Sequence, residues 1–147
     1  MSDYPEKPFE AFRVGDRATY RHTFSDADVR EFARLSGDDH PAHREGDYAR
    51  SSRWGRPVVH GLLTASLLSA ANARLLGTPG SVSIEQTLKF LRPVFVGDTI
   101  TATSEVIRII SDRRWLRCRT TCTNQKGELV LTGDALEGKE SSGEVHG

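Results

Sequence analysis

Residues 36–46 of the 147-residue chain read SGDDHPAHREG, and within them residues 37–43 gather two carboxylates, two imidazoles, a glycine and a proline. A carboxylate ordinarily titrates at about 3.9 and an imidazole at about 6.5, so Asp38 and His43 form a natural acid and base couple that modest burial draws closer to neutrality. Pro41 between them fixes one backbone angle and limits the ways the loop can hold the two side chains. Three readings are open at this point: a solvated turn, a metal site, or a pair placed to move protons. Asp38, Asp39, His40 and His43 are all possible ligands, with only His60 as an obvious further imidazole. A closed zinc site wants three or four ligands held by surrounding structure, so no metal is expected.

The flanking elements decide how this loop is held. RATYRHTFS (17–25) alternates as a first strand, and Ser25 with Asp28 has capping-box spacing at the start of a helix. Val29, Phe32, Ala33 and Ser36 share one face of that helix, and Gly37 suits its C-terminal end. The acid and base loop therefore begins where a helix stops. A short helix is expected from about Asp47 to Ser52. HGLLTASLLSAANARLLG (60–77) is then apolar and small around its whole circumference, the pattern of a buried central helix, ended by Gly77, Pro79 and Gly80. From residue 82 onward, β-branched and alternating segments read as strands, with turns at VGD (96–98) and NQKGE (124–128). One long buried helix followed by a run of antiparallel strands is an α+β pattern in which the sheet covers the helix. A single domain over residues 1–137 is expected, with a disordered tail over 138–147.

Composition narrows the function. Twenty Lys and Arg balance twenty Asp and Glu, so no net field draws the chain to nucleic acid or to an anionic membrane surface. The N-terminus lacks the charged start and apolar core of a signal peptide, and no apolar run reaches the roughly 18 residues of a membrane span. A soluble, cytoplasmic protein is expected. Cys118 and Cys122 fall in one strand, about 13 Å apart along it. They cannot bridge without breaking that strand, and both read as small, partly buried strand residues.

Three segments carry a resemblance. SGDDHPAH resembles the G-D-x-N-P-x-H signature of the MaoC-like dehydratase family, which includes the (R)-specific enoyl-CoA hydratases; RPVVHGLLTASLLS (56–69) and LKFLRPVFVGDTI (88–100) resemble its later blocks, in family order. The similarity runs from about residue 12 to about residue 136. It implies a hot-dog fold, a long helix wrapped by an antiparallel sheet, as a homodimer or higher homo-oligomer with sites near the interface. It places Asp38 and His43 at the catalytic acid and base positions, Gly61 at a backbone amide that binds the thioester carbonyl, and Ser69 at a serine beside the dyad. The implied activity is hydration of a trans-2-enoyl thioester to the (R)-3-hydroxyacyl thioester, or its reverse. No cofactor is implied beyond coenzyme A or a carrier-bound phosphopantetheine as the substrate's carrier. Arg53, Arg56, Lys89 and Arg92 are candidate cations for its phosphates, and His40 departs from the family, which usually has asparagine there. A hot-dog thioesterase and a non-catalytic acyl-binding or assembly subunit are the competing expectations.

Overall fold

The computed structural model describes residues 4–140. Strand β1 (Arg17–Thr23) leads into helix α1 (Asp26–Ser36), where Ser25 and Asp28 cap each other's backbone as their spacing predicts. Gly37 ends the helix with φ at 81°, a left-handed conformation open to glycine. A short 3-10 turn (Pro41–His43) and helix α2 (Asp47–Ser51) precede the long helix α3 (Gly61–Leu76). The rest is β: β2 (Ser81–Gln86), β3 (Lys89–Phe90), β4 (Thr99–Ile110), β5 (Trp115–Thr123) and β6 (Leu129–Lys139).

All the strands join one six-stranded antiparallel sheet of order β1-β4-β5-β6-β2, with β3 also paired to β6. β6 pairs with β2 and β3 in turn because the chain steps around Gly133, where a Cβ would lie 1.8 Å from the Thr87 carbonyl oxygen. Along β4 every second residue is buried, so Ile100, Ala102, Ser104 and Val106 face inward, and β5 does the same with Leu116, Cys118, Thr120 and Cys122. Leu67, Leu68 and Ala71 of α3 pack on Ile100, Ala102, Cys122 and Leu131. A second cluster joins Leu75 and Leu76 to Phe12, Val106, Leu116 and Cys118. This wrapped helix is the hot-dog arrangement expected from the sequence. The two cysteines are free, and burial pushes their thiols up to about 11 and about 12.

Two expectations change. The even apolar coat of α3 suggests burial all round, yet only the stripe of Thr64, Leu67, Leu68, Ala71, Asn72, Leu75 and Leu76 is buried, while Leu62, Ser66, Ser69 and Ala73 face outward. The sheet covers one side of the helix, and among the described residues the outward positions stay uncovered. The expected end of the domain at 137 is also short, because β6 continues to Lys139, whose ammonium donates to the Pro79 carbonyl. Residues 141–147 of the expected tail lie outside the described residues.

Glu137 is 2% exposed, accepts the Ser83 hydroxyl at 3.0 Å, and has its pKa raised above 4.5, chiefly by burial. A carboxyl whose folded pKa exceeds its unfolded one contributes stability that is present below the unfolded pKa and lost as pH rises through the folded pKa. Glu137→Gln keeps the shape without the charge. Its thermal midpoint relative to the wild type should therefore climb as pH rises above 4.5, a difference that scanning calorimetry reads directly.

Candidate active site

The loop after α1 is folded by its own side chains before any chemistry is asked of it. Asp38 Oδ1 accepts the His40 backbone N–H at 3.3 Å, and His40 Nδ1 accepts the Ala42 N–H at 3.1 Å, capping the 3-10 turn. The contribution of histidine at this position is thus a ring nitrogen that accepts a backbone amide of the turn. With Nδ1 used as acceptor, the proton of neutral His40 sits on Nε2. The ring lies edge-on to Tyr48 at 5.3 Å between centroids.

His43 Nδ1 donates to the Val58 carbonyl at 2.6 Å, which turns Nε2 toward Asp38, 3.9 Å from Oδ2. The two groups that sequence spacing pairs are thus brought together across a gap too long for a direct hydrogen bond and suited to a water touching both. Burial lowers the His43 pKa below 6.5 despite the Val58 contact, with the neighbouring His60 and His40 adding to the fall and Asp38 opposing it. A neutral imidazole with a free Nε2 lone pair follows.

His60 is the residue that sequence reasoning weighed only as a spare metal ligand. It is 3% exposed, stacks on His43 at 3.7 Å with planes 23° apart, donates from Nε2 to the Asp38 carbonyl at 2.9 Å, and rests on Phe32 at 4.8 Å. One ring therefore touches both members of the pair. The signal was present in VVHGLL, where an imidazole directly precedes the long helix. Asp38, His43 and His60 hold potential metal-binding atoms within 4.8 Å of one another, with His60 Nε2 and His43 Nδ1 bonded to carbonyls.

His60 also sits at the N-cap of α3, so Gly61 opens the helix beside the pair. The first amides of a helix lack internal partners and the dipole there favours negative charge. A Cβ at Gly61 would meet the Phe90 ring at 2.9 Å, so only glycine lets that ring close over the helix start. His43, Gly61, Thr64, Trp54, Phe90 and Val130 line a cleft of about 430 Å³. Thr64 Oγ1 is buried there without a partner among the described residues.

The other sequence candidates divide. Arg92 lines the same cleft and lies 3.7 Å from Glu128. Arg53 stacks on Trp54 at 4.3 Å and Arg56 on Phe95 at 3.6 Å, both exposed beside the cleft's Trp54 wall. Lys89 lines a different cavity with Arg119 and Asp134. Ser69, expected beside the dyad, lies further along α3 in a separate cavity with Asn72 and Glu137, because eight residues carry it about 12 Å down the helix from Gly61. Asp39, a possible ligand by sequence, is exposed.

Comparison with known proteins follows the same lines. Residues 13–126 match the family described as MaoC like domain. The (R)-specific enoyl-CoA hydratase of Rhodospirillum rubrum is 39% identical over 127 residues, 86% of this chain and 88% of that protein. The 3-hydroxybutyryl-CoA dehydratase of Methylorubrum extorquens is 40% identical over 129 residues, 87% and 81% respectively. The solved structure of an R-hydratase from Pseudomonas aeruginosa superposes with a TM-score of 0.86 at 32% identity, over 95% of this chain and 92% of that one.

His43, followed by proton NMR, should titrate with a midpoint below 6.5. His60→Phe keeps a ring against His43 but can neither charge nor hold Asp38, and should move that midpoint upward; a midpoint at or above 6.5 in the wild type contradicts the geometry.

Proposed function

The chain belongs to the MaoC-like domain family, and we propose that it hydrates a trans-2-enoyl-CoA to the (R)-3-hydroxyacyl-CoA, or runs the reverse dehydration, with Asp38 and His43 exchanging the protons. The observation that carries this reading is the 3.9 Å gap between His43 Nε2 and Asp38 Oδ2, beside a cleft that opens on the N-terminus of α3. The thioester lies in that cleft with its carbonyl oxygen against the Gly61 amide. Water held between the two side chains attacks Cβ, and its proton passes to His43 Nε2. The electron pair of the Cα–Cβ double bond moves toward the thioester, and the enolate-like oxygen is stabilised by the Gly61 N–H and the helix dipole. Asp38 relays the proton gained by His43 to Cα, so the pair ends the cycle in the protonation state in which it began. Arg53, Arg56 and Arg92 on the cleft's rim are the cations for coenzyme A phosphates, while Lys89 faces elsewhere.

The active form is a homodimer in this reading. β2 is an edge strand whose Val82 and Ile84 are 61% and 41% exposed, and Leu62 on the open face of α3 is 62% exposed. An edge with unpaired backbone groups and apolar side chains beside a bare helix face is a surface that a second copy covers. Among the described residues no helix is long and apolar enough to cross a membrane, and two free, buried cysteines are compatible with the reducing cytoplasm.

With crotonyl-CoA, loss of the conjugated enoyl absorbance without release of free thiol is the expected outcome. Asp38→Asn and His43→Gln should each lower kcat/KM by about 10² to 10⁴, and variants that hydrate as fast as the wild type remove the site assignment. Thiol release without hydration would favour a thioesterase. Val82→Lys combined with Ile84→Glu should shift the light-scattering mass from dimer to monomer, and an unchanged dimer rules out this interface.

A further inference from the structure

The stripe of α3 that borders the pair's cleft runs on past it to a second, separate cavity. Gly61 and Thr64 line the first cleft, and Leu68 and Asn72 line the second, of about 370 Å³. These four positions follow one another at three- and four-residue spacing and so lie on one stripe of the helix. Phe90 is part of the lining of the first, and Gln86 and Leu88, from the segment just before it, are part of the lining of the second.

This stripe is not an apolar lining. Thr64 and Asn72 are 2% and 7% exposed, and Thr64 Oγ1 and Asn72 Oδ1 are buried without a partner among the described residues. Buried polar atoms are nearly always paired, because leaving one unpaired forfeits its hydration without return. The other end of the Asn72 amide faces Gln86 Oε1 at 3.5 Å, and Gln86 is held by donating to Thr120 Oγ1 at 3.0 Å and the Thr87 carbonyl at 2.9 Å. Asn72 Oδ1 therefore needs a donor from outside. Glu137, 2% exposed, forms part of the same cavity's wall and binds Ser83, with burial favouring its neutral form. An alkyl end would leave Asn72 Oδ1 unpaired, and a cation would be desolvated against uncharged groups. A hydroxyl satisfies it.

We propose that this second cavity binds a hydroxyl on an acyl chain laid along the α3 stripe, so that the preferred substrates are enoyl thioesters hydroxylated away from the thioester. The inference rests on the hydratase reading of the first cleft. Asn72 lies about 16 Å along the helix from Gly61, beyond the reach of a four-carbon acyl group but within that of a medium-length chain.

The test compares the wild-type enzyme on two medium-length trans-2-enoyl-CoA substrates of equal length, one ending in a hydroxyl and one in a methyl, across several lengths. At one or more lengths the hydroxylated substrate should have the higher kcat/KM by about tenfold. Asn72→Leu should reverse that ratio, with Asn72→Ala as a second variant if the first does not fold. Preference for the methyl-ended chain at every length, or a ratio unmoved by both variants, overturns the inference while leaving crotonyl-CoA hydration to stand. Failure of the wild type to hydrate crotonyl-CoA or either longer substrate overturns the reaction reading and this inference together.

Discussion

The site depends on where one imidazole is held. His60 is buried at the start of α3, lies flat on His43, and binds the backbone carbonyl of Asp38. Three segments are fixed to one another through it: the loop after α1, the 3-10 turn, and the helix whose first amides face the cleft. A buried, doubly engaged ring has little freedom, which is what a reacting geometry with small tolerance requires. Moving that ring would open the gap between Asp38 and His43 and displace both from Gly61.

The electrostatics of the pair follow from this packing. His43 is partly buried, and its two imidazole neighbours disfavour further positive charge, so burial and neighbours act in the same direction against the single carboxylate. The nearby cations stack on aromatic rings at the rim and do not enter the pair, so they leave its charge balance alone. His40 belongs to the same economy of polar groups. Its ring nitrogen accepts the Ala42 amide and so caps the 3-10 turn that carries His43.

α3 serves two purposes with one sequence. Its buried stripe fills the concave side of the sheet, while its small residues let Phe90 close over Gly61 and keep a separate cavity open beyond. Its low amphipathicity is what made it look buried all round. An evenly apolar helix in a half-covered position needs a second surface, and the exposed edge strand β2 lies in the same sheet. The fold and the dimer reading thus draw on one property of the sequence, the absence of a charged face on α3.

Local chemistry determined what could be read from the chain alone. The Ser25 and Asp28 capping box, the Gly37 helix end, the 124–128 hairpin and the length of α3 each depend on residues within a few positions of one another, and each is found where the sequence puts it. The pairing of Asp38 with His43 was legible for the same reason, being a five-residue step across a proline. Tertiary structure alone decided the rest. It set His60 against a loop 22 positions away, left Ser69 and Lys89 in other cavities, bared one face of α3, and buried Asn72 and Glu137 together. Periodicity reports that a face is apolar, but only the packed sheet determines which faces are covered and which distant side chains meet.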